Sequence, residues 1–433
     1  MKKIIESDIT RRQFINFLGA AVGSAAMPFA GRANTALASE RITLGFIGVG
    51  KQGAGLLRGF LNTPGTQVLA VCDVDMLKKE NAQKMVNDHY TQESGHRYHS
   101  CDAYDDFRYI LERPDIDAVV IATPDHWHAI PVLMAAESGK DIYCEKPLSL
   151  TLYEAREMVN AVRKYRRIFQ TGSMQRSDNK FRLACELVRN GYIGEIKKVN
   201  VSIRTGFIAH PVECDLPAES VPSELNWEFW LGPAPWRPYH SILAPPISFS
   251  GWPKWRDYRD YSGGGMTDWG AHHFDIAQWG LGMDHSGPVK IIPPDGKEIK
   301  QLTYLYANGV EMTTDVEDNL ILFTGTEGKV AVNRSYIKTW PEKLVRHPIS
   351  ARDLHLYESN NHKQNWLDCI KTRKHPICDV EIGCRSVSVC HLGNLAVQLG
   401  RPLLWNPEAE LFINDPEANR LRDRSKRSPW SLS

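Results

Sequence analysis

The chain has 433 residues, 52 Lys+Arg against 51 Asp+Glu, 42% hydrophobic and 24% charged residues. That length holds two or three domains with buried cores, and the composition excludes collagen, coiled coil, a disordered chain and a polytopic membrane protein. A net charge of +1 leaves no electrostatic footprint for nucleic acid or an anionic membrane.

In residues 1–38, Lys2, Lys3, Arg11, Arg12 and Arg32 outnumber Glu6 and Asp8. Thr10-Arg11-Arg12-Gln13-Phe14 is a twin-arginine pattern. A Gly/Ala-rich apolar run from Ile15 to Ala30 follows, and Ala36-Leu37-Ala38 is a small-residue cleavage pattern. Together they predict a removable twin-arginine export signal and a periplasmic mature chain with no membrane span. The nine cysteines are scattered and lack a CxxC, so no disulfide framework is expected. A chain folded in reducing cytosol before export fits both observations.

Strand and helix patterns then alternate. Arg41 to Gly48 reads as a buried strand, 52–61 as a helix, Gln67 to Cys72 as a strand and 76–89 as a helix. Strands are expected at Asp115–Thr123, Asp141–Cys144 and Ile168–Thr171. Helices are expected at His128–Ser138 and from the capping box Thr151-x-x-Glu154 to about Arg166. This alternation predicts a doubly wound parallel sheet at 40–167. The second half, 168–400, differs. After a helix at 178–190 and a strand at 196–205 come strands at 302–307, 310–314, 320–323 and 330–332, joined by tight turns at Gly309 and Glu327-Gly328. An α/β domain with a large open, mostly antiparallel or mixed sheet is expected there. It would carry a Pro- and aromatic-rich insert at about 206–262 and late helices at 360–372 and 380–399. Residues 401–433, with the basic run Arg420–Arg427, read as a solvated tail.

Gly48-Val-Gly50-Lys-Gln-Gly53 matches G-x-G-x-x-G between a strand and a helix. Gly48 permits the turn, Gly50 lets backbone approach a pyrophosphate, and Gly53 allows close helix–strand packing. Asp73 closes the second strand, where a carboxylate takes ribose hydroxyls and repels a 2′-phosphate. NAD is therefore expected, with NADP less favoured. Thr123, Pro124 and His128, then Glu145 and Lys146, lie at the carboxyl ends of later strands and are expected to line the cofactor. Gln175 follows the next strand and is expected on the substrate side. Further on, Asp268 and His272 stand at i and i+4 of a helix expected to begin near Thr267. A metal site built from Asp268, His272 and Asp275 is a weak alternative, and no metal is expected.

The glycine loop, Asp73, Glu145-Lys146-Pro147 and Asp268-x-x-x-His272, in this order, resemble the glucose–fructose oxidoreductase / inositol dehydrogenase / MocA (Gfo/Idh/MocA) family over about residues 41–400. The resemblance implies a Rossmann domain joined to an α/β domain that often mediates oligomer contacts, hence a homodimer or homotetramer. It implies that Lys146 contacts the reacting hydroxyl, that Asp268 and His272 are the site's acid and histidine, and that Pro147 is cis. His272 is the expected base, and Lys146 the cation that stabilises the developing alkoxide.

Seven of the twelve tryptophans fall between Trp227 and Trp279. Flat rings beside polar groups suit pyranose faces, so a neutral sugar, glycoside or cyclitol is expected, touched by Trp255, Arg256 and His273. An exported dehydrogenase lacks free cofactor and needs a tightly held NAD that is recycled in place. Plain sugar oxidoreduction ranks first. A redox-assisted glycosidase, which oxidises a ring carbon transiently before elimination, and a metal-dependent sugar hydrolase or isomerase are the alternatives.

Overall fold

A computed structural model describes residues 40–204, 216–316 and 318–432. The expected leader lies outside the described residues. The first domain is a six-stranded sheet of β1 (Ile42–Ile47), β2 (Thr66–Cys72), β3 (Asp102–Tyr104), β4 (Ala118–Ile121), β5 (Asp141–Cys144) and β6 (Phe169–Thr171), ordered β3-β2-β1-β4-β5-β6. Every pairing is parallel. β4 and β5 are buried at every residue, because helices cover both faces of a parallel sheet. Those helices include α1 (Lys51–Leu61), α2 (Met76–Ser94), α3 (Ala129–Glu137) and α4 (Leu152–Lys164). α4 starts at the expected box: the Thr151 side chain accepts from Glu154 N. The Glu154 carboxylate, however, reaches Leu150 N rather than the cap residue. β6 completes this sheet, so the domain runs past the expected boundary at residue 167.

The second domain opens with α5 (Asn179–Arg189) and β7 (Ile196–Ser202), followed later by α6 (Gly270–Leu281). Its sheet adds β8 (Lys290–Ile292), β9 (Thr303–Leu305), β10 (Glu311–Asp315), β11 (Ile321–Gly325), β12 (Lys329–Val332), β13 (Ile337–Trp340), β14 (Leu403–Asn406) and β15 (Leu411–Phe412). The order is β13-β12-β11-β7-β10-β9-β8-β14-β15. Only β7 and β10 pair in parallel, so the sheet is mixed. The turns at Gly309 and Gly328 join antiparallel partners as expected. Two long helices come late in the chain, α7 (His362–Thr372) and α8 (Val380–Leu399).

Three sequence expectations fail for long-range reasons. α7 belongs to the first domain's core, where Trp366 meets the edges of Phe60 and Tyr143. β14 and β15 extend the second sheet instead of lying in a tail. The basic end is a strap, not a solvated run. Lys426 pairs with buried Glu154 (3.2 Å), Arg427 pairs with Glu228 and reaches the Gly232 carbonyl, and Trp430 packs against Trp127 and Phe229. Lys426 also pairs with nearby Asp423, but Glu154 and Glu228 lie more than 150 residues away, beyond the reach of local charge pattern.

Four buried histidines give the fold an acid limit. His126, His273, His362 and His391 each contact a backbone carbonyl through one ring nitrogen, those of Trp230, Ser202, Thr171 and Ser149. Burial above all pushes their pKa values down, to about 3 for His126 and His391 and about 4 for His273 and His362. The unfolded chain, titrating near the ordinary value of about 6.5, binds more protons than the folded chain below that pH. Stability is therefore complete above it and is lost as pH falls toward 4. Melting temperature measured against pH should drop steeply below about 6.5. His391→Gln, which keeps a donor for Ser149, should flatten that slope; an unchanged slope refutes the assignment.

Candidate active site

A cavity of about 500 Å³ opens between the domains at the carboxyl ends of the first sheet, the place where open α/β sheets receive ligands. Its floor is the glycine loop. Gly48 sits at φ +83°, a left-handed conformation that favours glycine. Gly50, the N-cap of α1, would present a Cβ to open space, whereas a Cβ at Gly53 would overlap the Gly48 carbonyl oxygen. The free amides of the helix start, next to room left by Gly50, form a cradle that fits a pyrophosphate. Asp73 lies beside it. Its carboxylate accepts from Val49 N (2.9 Å) and Asp75 N (3.0 Å). Burial raises its pKa, and the Lys78 charge and these amides oppose that. Lys78 is itself tied to Asp75 (2.8 Å) and to the Pro245 carbonyl (3.0 Å), and Lys79 pairs with Asp105. Both lysines are thus already paired with carboxylates.

The insert roofs this cradle. Asn226 N donates to the Val74 carbonyl (3.0 Å) and Met76 N to the Glu224 carbonyl (2.8 Å). Lys51 donates to the carbonyls of Ser250 and Gly251, under the Trp252 ring.

The far wall brings the expected chemistry together. Lys146, just beyond β5 in a cis bond to Pro147, donates to Asp268 Oδ1 (2.7 Å) and to the Asp268 carbonyl (2.9 Å) across 122 residues. Burial favours the neutral acid at Asp268, but Lys146 and then Arg256 outweigh it and hold the carboxyl below its ordinary range. His272 lies one turn on, with no hydrogen-bond partner at Nδ1. Burial first, then the Lys146 and Arg334 cations, push its pKa well down, so the ring is neutral. Glu145 is buried against Gly172 and accepts from Gln52 (3.1 Å). Thr123 and Pro124 line the cavity, as do Trp255 and Arg256, whose guanidinium stacks on the Trp255 ring at 4.1 Å.

Three expected site residues do not line it. His128 is buried between the Pro147 (2.7 Å) and Thr123 (3.0 Å) carbonyls and fixes that backbone. His273 turns to the second sheet and contacts the Ser202 carbonyl (2.7 Å), because neighbours on a helix face different ways. Gln175 stands behind His272. With its amide oriented to satisfy both ends, it donates to the His272 carbonyl (2.9 Å) and accepts from Arg334 Nε (3.1 Å). Asp275 accepts from Arg176 (2.8 Å) and Ser386 (2.7 Å), so it does not meet Asp268 and His272 as a metal trio. Of the tryptophan cluster, Trp227 packs in the insert's own core and Trp279 in the second domain; Trp230 stacks on Trp227 and also lines the cavity, as do Trp252, Trp255 and Trp269.

Sequence reasoning missed Asp125, Arg204 and Arg334, which also line the cavity. Asp125 accepts from Ser262 (2.7 Å), and burial raises its pKa to about 7. Its position after β4 was legible. Nothing local marks the two arginines.

Residues 42–173 match the family described as "Oxidoreductase family, NAD-binding Rossmann fold", and residues 178–432 match its C-terminal alpha/beta domain. A Glycosyl hydrolase family 109 protein of Saccharopolyspora erythraea is 35% identical over 164 residues, 37% of this chain and 34% of that protein. A 2,7-anhydro-N-acetylneuraminate hydratase of Mediterraneibacter gnavus is 31% identical over 156 residues, 36% of this chain and 38% of that protein. The matches thus span little more than a third of these curated relatives. Among solved structures, an aldose-aldose oxidoreductase from Caulobacter crescentus superposes with TM-score 0.57 at 19% identity, over 84% of this chain and 99% of that one. A dehydrogenase from Bordetella pertussis in complex with NADH and UDP-GlcNAcA superposes with TM-score 0.56 at 16% identity, over the same shares. At these identities they show the shared fold.

Proposed function

Because this chain belongs to the Gfo/Idh/MocA oxidoreductase family, we propose that it moves a hydride between a tightly held NAD and a hydroxyl-bearing carbon of a sugar, glycoside or cyclitol. The observation that carries this is the Lys146–Asp268 bridge, which closes the two domains over one cavity floored by the glycine loop. Bound there, NAD supplies the hydride acceptor at its nicotinamide. Asp73 takes the ribose hydroxyls, and the helix amides take the pyrophosphate. Lys146 holds its ammonium against the substrate oxygen and stabilises the negative charge that develops as the C–H bond breaks. Neutral His272 receives the hydroxyl proton. Its depressed pKa means that the proton is not kept and returns readily in the reverse direction. Asp268 positions Lys146 through two hydrogen bonds. The leader and the tied-down insert both suit a cofactor that travels with the exported protein and is recycled in place.

A second reading has support of its own. The curated relatives include glycosyl hydrolase family 109 proteins and an anhydro-sugar hydratase. The same Lys146 and His272 pair serves transient ring oxidation, elimination of the aglycone and return of the hydride. Two measurements decide. Native purification followed by denaturation should release NAD; if none is released and none binds, the redox reading fails in both forms. Nitrophenyl glycosides given without an added acceptor then separate the two. Nitrophenol release favours the glycosidase, and a keto-sugar product favours the plain oxidoreductase.

A further inference from the structure

The cationic side chains of the cavity are not equally matched. Lys51 is tied to backbone carbonyls, Lys78 to Asp75, and Lys146 and Arg256 to Asp268. Arg204 and Arg334 have no carboxylate partner among the described residues. Instead both guanidinium groups stack on one ring, Trp269, at 4.4 and 4.6 Å from its centroid.

These are built features. Arg334 has its Nε held by buried Gln175 (3.1 Å), lies against the indole of Trp269 and lines the cavity. Burial and then the Arg204 charge push Arg334 below the ordinary guanidinium value, with Asp178 opposing them only in part. Arg204 reaches its place at φ +58°, a conformation rare for residues other than glycine and found where function over-determines the backbone. Trp269 lies 5.9 Å, centroid to centroid, from His272. The arginines, Trp269, Lys146 and His272 thus line one cavity.

Resting on the redox reading above, we propose that the substrate is a sugar acid, whose carboxylate is bound by Arg204 and Arg334 over Trp269 while the hydroxyl to be oxidised lies at Lys146 and His272. Guanidinium groups suit this because they meet a planar carboxylate with paired, charge-assisted hydrogen bonds. The near-zero net charge of the chain is no objection, since it averages over a surface that this cluster barely samples.

The test titrates purified holoprotein with D-glucuronate, D-galacturonate and D-mannuronate against their parent hexoses, with glucose 6-phosphate as a separate arm, and reads tryptophan fluorescence. At least one uronate should bind roughly tenfold to a hundredfold more tightly than its hexose. Rising ionic strength should weaken that preference, and R204Q/R334Q should erase it. R334K, which keeps the charge and loses the fork, should retain part of it, and serves with R204Q alone if the double variant folds poorly. No uronate preference, or one that survives R204Q/R334Q, overturns the proposal. A preference confined to glucose 6-phosphate overturns the carboxylate assignment. Dinucleotide content is read separately after denaturation. A protein that prefers uronates but carries no dinucleotide refutes the redox reading, and with it the oxidised hydroxyl at Lys146 and His272, and leaves only carboxylate binding by Arg204 and Arg334 standing.

Discussion

Lys146→Ala is expected to reduce hydride transfer by roughly 10²–10³-fold or more while the protein still purifies with its dinucleotide. The ammonium is the cation aimed at the oxygen where charge develops, and it is held by two hydrogen bonds to one residue, Asp268. Alanine removes both the charge and the donor. The glycine loop and Asp73, the proposed cofactor cradle, lie on other strands and are left in place. Absorbance of the bound nicotinamide after mixing with sugar reads the chemical step directly, and released dinucleotide reads retention. His272→Ala should cost about 10²–10⁴-fold, the usual range for a lost general base. Asp268→Asn separates positioning from charge: the amide still accepts from Lys146 but no longer offsets its positive charge. It should lower kcat more than it raises KM, because Lys146 is needed most in the transition state. Turnover like that of the wild type in Lys146→Ala would remove the basis of the proposed mechanism.

Gly50→Val and Gly53→Ala are expected to give dinucleotide-free protein for different reasons, and melting temperature tells them apart. At Gly50 the backbone φ is −64°, open to any residue, and a new Cβ meets nothing within 4 Å. The valine side chain therefore fills the space that the pyrophosphate needs without disturbing the fold. The variant should lose its bound NAD yet melt like the stripped wild-type chain. At Gly53 a Cβ overlaps the Gly48 carbonyl, which is backbone and cannot swing aside. The helix must move off the strand at a cost of about 1–3 kcal/mol, so this variant should lose NAD and also melt lower than the stripped wild type. Retention of NAD in Gly50→Val would show that the cradle does not hold a pyrophosphate.

The Rossmann half was legible because each of its parts is local. Strand β1, the turn at Gly48, helix α1 and the acid at Asp73 span barely thirty residues, and each was marked by apolar runs, glycine spacing or a strand end. The boundaries failed where the chain doubles back. α7 and the strap at 421–432 pack on a domain whose pattern ends some two hundred residues earlier. The aromatic run was half misleading for a related reason. A tryptophan reads the same whether it faces a ligand or packs its own domain, and Trp227 and Trp279 do the latter.

By itself, then, the sequence determined the fold class and marked the glycine loop by short spacings that strand and helix geometry read directly, while Lys146, Asp268 and His272 were singled out by motif order and the family resemblance. Only the tertiary structure decided that Lys146 reaches Asp268 across 122 residues, that Gln175, His128 and His273 stand behind the cavity wall instead of in it, and that Arg204 and Arg334 share one indole. The physical reason is that local spacing fixes which way a side chain leaves its own element. Which elements face each other is set by burial of two separate cores against one another, and the charge of a site by which ion pairs that packing completes or leaves open.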